Sequence, residues 1–303
     1  MKKFITIGFV LATILVVLGG RAFPAKADAT AKGVVYHLYG NAGPHSPVVL
    51  IHGLACDSSV WRFQVPVLQK KGRVIVVDLP GHGQSIKPHM QYTLRLFADS
   101  VREVMDKAGV DRAVLVGHSM GFSVARMFAI MYPARCIALA DVDGVYEIRP
   151  ESAHDRAVYS RMVQDFIAPI HGDDFQRDQF MQRFIQGLFT DETPERLRRQ
   201  IRGLMLSTPR YVADSALENL FREEDWKPCP RPGLPVLAVY SNMAGFPPDM
   251  GDRLCREYSD VRMHVLRTPG HFLMMERPQQ VDKLLLEFLD TLPSQESAKA
   301  PAS

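Results

Sequence analysis

Short apolar runs rich in β-branched residues recur along the chain, and each ends at glycine, proline, serine or aspartate. Apolarity within a run is continuous rather than alternating, which is typical of strands covered on both faces. The pattern therefore predicts buried strands within residues 46–53, 72–81, 112–119, 136–144, 234–241 and 261–270.

Between these runs, apolar residues recur at helical spacing. The spacing predicts helices over 93–109, which Gly109 ends, over 120–133, which Pro133 closes, and over 277–292. Strands that alternate with helices imply an α/β fold, with a mostly parallel central sheet and helices on both of its faces.

This alternation stops between residues 145 and 232, where helical patterns rich in Phe and Met replace the strands. Two of them cover 178–189 and 193–206, and Thr193 before a proline predicts the N-cap of the second. We interpret 145–232 as a helical lid inserted into a core made of 33–144 and 233–291. The polar tail 293–303 is expected to be disordered.

The N-terminal segment has a different composition. Lys2 and Lys3 precede an apolar run over 4–18, and the small-x-small segment Ala25-Lys26-Ala27 follows. This order predicts a secretory signal peptide over 1–27, cleaved after Ala27. The run is short for a bilayer span, which needs about 20 residues. We expect a secreted or periplasmic protein with no stable membrane span, and an uncleaved membrane anchor is the alternative.

Signal cleavage also changes the charge. The first 27 residues hold four basic side chains and no acidic one, so the formal net charge falls from +3 to −1. Because nucleic-acid binding needs a clustered basic surface, no nucleic-acid partner is expected. The remaining composition, 47% hydrophobic and 23% charged, is ordinary for a globular protein.

The four cysteines lie in the exported part, where disulfides can form. They are Cys56, Cys136, Cys229 and Cys255. Cys229 and Cys255 flank one predicted strand and are the preferred pair, although four cysteines allow other pairings. Their spacing does not resemble a zinc site, so no metal is expected.

The segment Gly117-His118-Ser119-Met120-Gly121 fits G-x-S-x-G between a strand and a helix. Bulkier residues at the glycines would clash with the adjoining strand and helix. Such a turn exposes the serine Oγ, and the N-terminus of the following helix favours a developing anion. Ser119 is therefore the predicted nucleophile, and His118 is expected to point away from the site.

A serine hydroxyl becomes a good nucleophile when a base takes its proton. His271 follows the last predicted strand and precedes the final helix. Loops at the carboxyl ends of parallel strands gather at one edge of the sheet, so this histidine can meet Ser119. His271 is the predicted base.

Four segments, VVLIHGLACDSSVWRFQVPVL, VIVVDLPGHGQS, VLVGHSMGFSVA and PGHFLMMERP, resemble successive signatures of the α/β-hydrolase superfamily. Among its branches, the chain is similar to the serine-nucleophile, lid-containing, esterase-like one. The resemblance covers about 33–144 and 233–291. It implies Ser119 as nucleophile, His271 as base, an oxyanion hole from the backbone N–H groups of Leu54 and Met120, and structural roles for His52 and Asp78.

The acid of the triad departs from the family pattern. Its usual position, after the strand at 234–241, falls at about Ala244, and alanine cannot orient an imidazole. Asp249 or Asp252 could replace it from the same loop. Alternatively, the acid comes from the end of the preceding strand. We favour Asp143, which lies at the mouth of that strand before a glycine, over Asp141, which lies deeper.

These residues predict an extracytoplasmic serine hydrolase that cleaves a carboxylic ester or similar acyl bond through a Ser-His-Asp triad and an acyl-enzyme, without a cofactor. The expected partner is a small-molecule substrate with an apolar acyl or alcohol group. Lid side chains either line its pocket or pack the lid on the core: Phe166, Phe175, Phe180, Met181, Phe184, Phe189 and Met205.

Several alternatives share the fold, because one fold hosts many chemistries. They are a carbon–carbon bond hydrolase, a perhydrolase and an aminopeptidase. Epoxide hydrolases and haloalkane dehalogenases resemble the chain as well, but they carry aspartate where Ser119 stands. From another class, a non-catalytic ligand-binding protein would keep the fold and use the lid pocket to hold its ligand.

Overall fold

The computed structural model describes residues 26–144, 152–221, 229–243, 250–267 and 270–293. Within these residues one eight-stranded sheet has the order β1-β2-β4-β3-β5-β6-β7-β8. The strands are β1 (Lys26–Ala29), β2 (Val35–Tyr39), β3 (Val48–Ile51), β4 (Val74–Val77), β5 (Ala113–His118), β6 (Cys136–Val142), β7 (Val236–Ser241) and β8 (Val261–Leu266).

The α-helices of the described residues are also numbered in chain order. They are α1 (Val65–Leu68), α2 (Leu94–Lys107), α3 (Met120–Met131), α4 (Ala153–Ile167), α5 (Asp174–Gly187), α6 (Glu195–Ser207), α7 (Arg210–Leu220), α8 (Met250–Glu257), α9 (Leu273–Glu276) and α10 (Pro278–Leu289). None of them combines the length and the apolar character that a membrane crossing needs.

Strand pairing from β3 to β8 is parallel, whereas β1 and β2 pair antiparallel with their neighbours. The predicted α/β fold with a mostly parallel sheet is confirmed. The two antiparallel strands were not predicted, because β1 has the polar sequence KADA and β2 is mostly half-buried. The predicted cleavage point after Ala27 falls within β1.

The five central strands, β3 to β7, are completely buried. Each large aliphatic side chain buried in this way contributes roughly 1.5–3 kcal/mol. The strand predicted within 261–270 is present as β8, but the prediction that it is buried was wrong, because β8 lies at the edge of the sheet. There Met263 is 48% and Val265 is 54% exposed.

Four helices, α4 to α7, lie between β6 and β7, and the predicted helical segments 178–189 and 193–206 overlap α5 and α6. Thr193 is not the N-cap of α6, which begins one residue later than predicted, after Pro194. The Thr193 hydroxyl instead donates to Glu276 Oε2 at 3.0 Å. The role of these inserted helices as a lid stays a prediction.

The preferred disulfide between Cys229 and Cys255 was wrong, since all four cysteines are free thiols. Cys229 is buried beside the core, whereas Cys255 is exposed on α8. Leu254, its neighbour on that helix, faces the core and so turns the thiol outward. The predicted signal-peptide run and the predicted disordered tail lie outside the described residues, apart from the ends at 26–27 and at 293.

Candidate active site

The register of the sheet brings three strand ends together. Ile51 of β3 pairs with Gly117 of β5, and His118 pairs with Val142 of β6. Because these strands are parallel, their carboxyl ends meet at one edge of the sheet. The residues that follow them, including Ser119 and Asp143, therefore lie side by side.

The turn at Ser119 is strained. Its φ is 54° and its ψ is −126°, a conformation that costs roughly 1–3 kcal/mol for a residue with a side chain. The flanking glycines make room for the turn, as predicted. A Cβ on Gly117 would lie 2.3 Å from the Phe122 nitrogen, and one on Gly121 would lie 2.3 Å from the Ile51 oxygen. Ser119 is half-buried at the start of α3.

Asp143 follows β6 in the left-handed region, with φ 51°, and is completely buried. Its Oδ2 accepts a hydrogen bond from His271 Nδ1 at 2.8 Å. Ser241 donates its backbone N–H to Oδ1 at 2.6 Å and its hydroxyl to Oδ2 at 3.1 Å. Since an ionised carboxylate only accepts, the proton of a neutral His271 is on Nδ1, and Nε2 is the basic nitrogen.

The other candidate acids differ in position. Asp252 is exposed on α8, and Asp249 lies outside the described residues, as does Ala244. Asp141 Oδ1 accepts from the Gly144 N–H at 2.6 Å, and its Oδ2 accepts from the Tyr240 hydroxyl at 2.7 Å. Burial raises the pKa of Asp141 to about 8. The favoured candidate, Asp143, is hydrogen-bonded to His271; its catalytic role stays a prediction.

The loop after β3 holds the first predicted oxyanion donor. The Gly53 carbonyl accepts from His52 Nδ1 at 2.8 Å and from the Cys56 N–H at 3.2 Å. Because a trans peptide is planar, with C=O and N–H on opposite sides, these bonds fix the direction of the Leu54 N–H. Leu54 lines the same cavity as Ser119. Burial lowers the pKa of His52, which favours its neutral form.

The second predicted donor is the N–H of Met120, the first residue of α3. The first four N–H groups of a helix have no intrahelical acceptor, and the helix dipole is positive there. Both donors are backbone groups held by neighbouring strand ends. The arrangement can receive an anion beside Ser119, and the oxyanion role stays a prediction.

The cavity at Ser119 has a volume of about 10 Å³, which is room for roughly one water molecule. A substrate therefore needs side chains or inserted helices to move before it reaches the hydroxyl. The lining residues are Gly53, Leu54, Cys56, His118, Ser119, Phe184, Leu188, Met205, His271 and Phe272.

The aromatic and methionine side chains of the insertion divide into three groups: those at the cavity, those exposed and those buried. Phe184 and Met205 line the cavity, and Phe180 stacks on Phe184. Phe175 is 70% and Phe166 is 40% exposed. The side chains of Met181 and Phe189 are buried. Pocket lining and helix packing, the two roles weighed for this set, thus fall to different members.

His118 does not point away from the site, contrary to expectation. Its Nε2 lies 2.9 Å from the backbone oxygen of His271, and the two imidazole rings are 4.7 Å apart between centroids. The G-x-S-x-G pattern gave no sign of this contact, because it places no requirement on the residue before the serine.

Backbone hydrogen bonds join the His271 loop to the inserted helices. The His271 N–H donates to the Leu188 oxygen at 2.9 Å. Glu276 Oε2 accepts from the Gly270 N–H and from the Thr193 hydroxyl, each at 3.0 Å. Burial raises the pKa of Glu276. The His271 loop and the insertion are therefore packed as one unit in this conformation.

Asp78 and His82 stabilise the neighbouring loop. Asp78 accepts from the N–H groups of Ser58 and Gln84, each at 2.8 Å. His82 is buried against His52, and burial lowers its pKa to about 3. These contacts agree with the structural role that the resemblance implies for Asp78. Within the described ranges no cluster of three metal-binding side chains occurs.

Comparisons with known proteins extend over most of the chain. It is 28% identical over 274 residues to the dihydrolipoyllysine-residue acetyltransferase component of the acetoin cleaving system of Pseudomonas putida, an alignment that covers 88% of this chain and 69% of that protein. It is 28% identical over 256 residues to the pimeloyl-[acyl-carrier protein] methyl ester esterase of Aeromonas hydrophila, covering 82% of this chain and 96% of the esterase.

The fold has solved counterparts. A bromoperoxidase from Bacillus anthracis superposes with a TM-score of 0.73 at 20% identity, over 88% of this chain and all of the bromoperoxidase chain. At that identity the likeness concerns the fold. The profile of the alpha/beta hydrolase family matches residues 48–284, a span that contains the strained serine, the buried aspartate and the histidine loop. The chain therefore belongs to the alpha/beta hydrolase family.

Proposed function

We propose that this protein is a serine hydrolase that cleaves carboxylic esters or similar acyl bonds through a covalent acyl-enzyme. The observation that carries the proposal is the hydrogen bond between His271 Nδ1 and the buried Asp143 carboxylate, with Ser119 and His271 lining one cavity. Nucleophile, base and orienting acid are the three groups that such a mechanism requires.

In the proposed first step, Ser119 Oγ attacks the acyl carbon while its proton passes to His271 Nε2. The tetrahedral oxyanion accepts hydrogen bonds from the N–H groups of Leu54 and Met120, and each such donor is typically worth about 2.7–4 kcal/mol. His271 then protonates the departing alcohol, which leaves the acyl group on Ser119.

In the second step, His271 takes a proton from water, and the resulting hydroxide attacks the acyl carbon. Collapse of this second intermediate releases the carboxylic acid and returns the proton to Ser119. Asp143 keeps the proton of neutral His271 on Nδ1 and stabilises the imidazolium that forms in each step. Its burial makes this electrostatic support stronger than it would be in water.

The apolar side chains around Ser119 favour a substrate with an uncharged acyl or alcohol group. Phe184, Leu188 and Met205 come from the inserted helices, so we propose that these helices act as a lid that opens for substrate. The ester-cleaving relative from Aeromonas hydrophila supports an ester substrate. The signal-like N-terminal pattern supports action outside the cytoplasm.

Covalent labelling tests the nucleophile. A fluorophosphonate probe should modify Ser119 in the wild type and fail to modify Ser119→Ala. The matched control is Ser59→Ala, which changes an exposed serine in the loop after β3 and should keep full labelling. An unlabelled wild type, tested with detergent present to free the insertion, would favour a non-catalytic binding protein.

A substrate panel tests the bond type. p-Nitrophenyl esters of rising acyl length should be hydrolysed, with aminoacyl anilides as the comparison series. Labelling at Ser119 without ester hydrolysis would support Ser119 as the nucleophile and overturn the proposal that the substrate is an ester.

A further inference from the structure

His118 is a buried polar side chain that the proposed mechanism leaves without a task. It is 1% exposed and occupies the last position of β5, directly before Ser119. Its ring lies 4.7 Å from the His271 ring and 4.9 Å from the Phe272 ring, measured between centroids. A buried imidazole at this position needs a reason, because burying a polar group without hydrogen bonds is costly.

The hydrogen bonds of His118 determine its tautomer. Nε2 lies 2.9 Å from the His271 carbonyl, which is an acceptor, so Nε2 must carry a proton. Nδ1 is buried and has no hydrogen-bond partner in the part of the chain that the structure describes. Burial, reinforced by the neighbouring His271, holds the pKa of His118 well below its usual range. His118 is therefore neutral, with its single proton directed at His271.

The neutral state of His118 is compatible with the change of charge proposed for His271. During the proposed reaction His271 becomes an imidazolium, and a second positive charge at this distance would oppose that change. A neutral N–H donor can hold the His271 backbone without this repulsion. His271 is thus held at three points. Its carbonyl bonds to His118, its backbone N–H bonds to the Leu188 oxygen, and its ring bonds to Asp143.

We propose that His118 is a positioning residue for the base of the proposed reaction: its Nε2–H holds the His271 carbonyl and thereby keeps the imidazole directed at Ser119. The inference rests on the proposed function, since it assigns His118 a task in that same site. His118 belongs to the strand that delivers the nucleophile. The bond therefore ties the positions of nucleophile and base to each other across 153 residues of sequence.

Three substitutions of His118 separate hydrogen bonding from packing. His118→Phe keeps a ring against Phe272 but has no donor. His118→Gln places an Nε2 donor at the same number of bonds from Cβ, and His118→Met has similar length without a donor. The matched control is His45→Phe, which alters another buried histidine, hydrogen-bonded to Asp290.

The measurements are the second-order rate of fluorophosphonate labelling at Ser119, kcat and KM on the best ester of the panel, and the thermal unfolding midpoint. Loss of one hydrogen bond and a small displacement of the base should lower the labelling rate and kcat by about 10- to 100-fold in the Phe and Met variants. KM should stay near the wild-type value. The Gln variant should retain most of both rates, and His45→Phe should leave them unchanged.

Two outcomes overturn the inference. One is a folded Phe or Met variant that labels and turns over like the wild type. The other is a folded Gln variant as impaired as the Met variant, which would make ring packing, rather than the donor, the cause. If the Phe variant does not fold, the Gln and Met pair decides. A wild type that fails to label at Ser119 refutes the proposed function instead, so the two failures are distinguishable.

Discussion

The carboxyl ends of β6 and β7 lie side by side and serve His271 in opposite ways. Asp143 directly follows β6, and its carboxylate accepts the hydrogen bond from His271 Nδ1. β7 ends at Ser241, which donates two hydrogen bonds to that same carboxylate. One strand end supplies the acceptor, and its neighbour supplies the donors that make a buried acceptor tolerable.

This difference shows what a buried carboxylate needs when it follows β6 instead of β7. The family pattern places the acid after the strand that corresponds to β7, whereas the acid at the end of β6 is bonded to His271 here. A carboxylate completely removed from solvent must have its oxygens hydrogen-bonded. Asp143 satisfies this need with His271 and with both donors of Ser241. Position along the sheet edge matters less than the set of partners around the oxygens.

The largest effect is expected when the hydrogen-bond acceptor after β6, the Asp143 carboxylate, is replaced. Asp143→Asn should lower kcat by about 10⁴-fold, because an amide in place of the carboxylate favours the wrong tautomer of His271. Asp252→Asn, on α8 beyond β7, is the matched control and should keep wild-type kcat, since Asp252 is exposed. Steady-state kinetics on the best ester measures both. The reverse result would return the acid to the β7 side.

A second effect tests the space beside the acid. A Cβ on Gly144, after β6, would lie 2.2 Å from Asp141 Oδ1 and 2.6 Å from Phe122 Cβ. Gly144→Ala should therefore lower the free energy of unfolding by about 1–3 kcal/mol, the usual cost of overpacking. Gly233→Ala, ahead of β7, meets open space and should change it by less than about 0.5 kcal/mol. Equal urea midpoints for the two variants would contradict the close packing after β6.

A third effect concerns Asp141, the carboxyl group within β6. The folded state raises the pKa of Asp141 from 3.8 to about 8, so between these values the folded protein keeps a proton that the unfolded chain has lost. Stability from this group is thus complete at low pH and declines as the pH rises. From about pH 5 to about pH 8, the free energy of unfolding should fall less steeply in Asp141→Asn, by up to about 1.4 kcal/mol per pH unit.

Urea unfolding of the wild type and Asp141→Asn across this pH range measures the difference in slope. Parallel curves would mean that Asp141 is already ionised in the folded protein across this pH range. A shallower curve for the variant would mean that Asp141 keeps its proton in the folded protein, as its raised pKa predicts.

The positions of Ser119 and His271 were predictable because their signals are local, while their roles as nucleophile and base stay predictions. Ser119 stands in a short motif between a strand and a helix, and His271 follows the last strand. The carboxylate that bonds to His271 was left open between two strand ends, because the contact depends on how β6 and β7 align in the sheet. The inward direction of His118 was missed for a related reason, since its partner is 153 residues away.

The same limit applies to the fold. Continuous apolar runs revealed the five central strands, whose burial imposes that pattern. The apolar pattern could not reveal β1 and β2, which are polar or half-buried. Nor could it reveal the exposure of β8, which depends on the place of that strand at the sheet edge. Thr193 has the sequence signal of a helix cap but bonds to Glu276, a tertiary partner that local spacing does not encode.

The hydrogen bond from the His271 amide to the Leu188 carbonyl has a consequence for engineering. Helices inserted into this fold invite exchange between family members as a means of changing substrate range. Here the segment that would be exchanged also holds the backbone of the histidine. A chimera that imports foreign helices must therefore provide a carbonyl oxygen at the place of Leu188, or its turnover will suffer even when its new pocket fits the intended substrate.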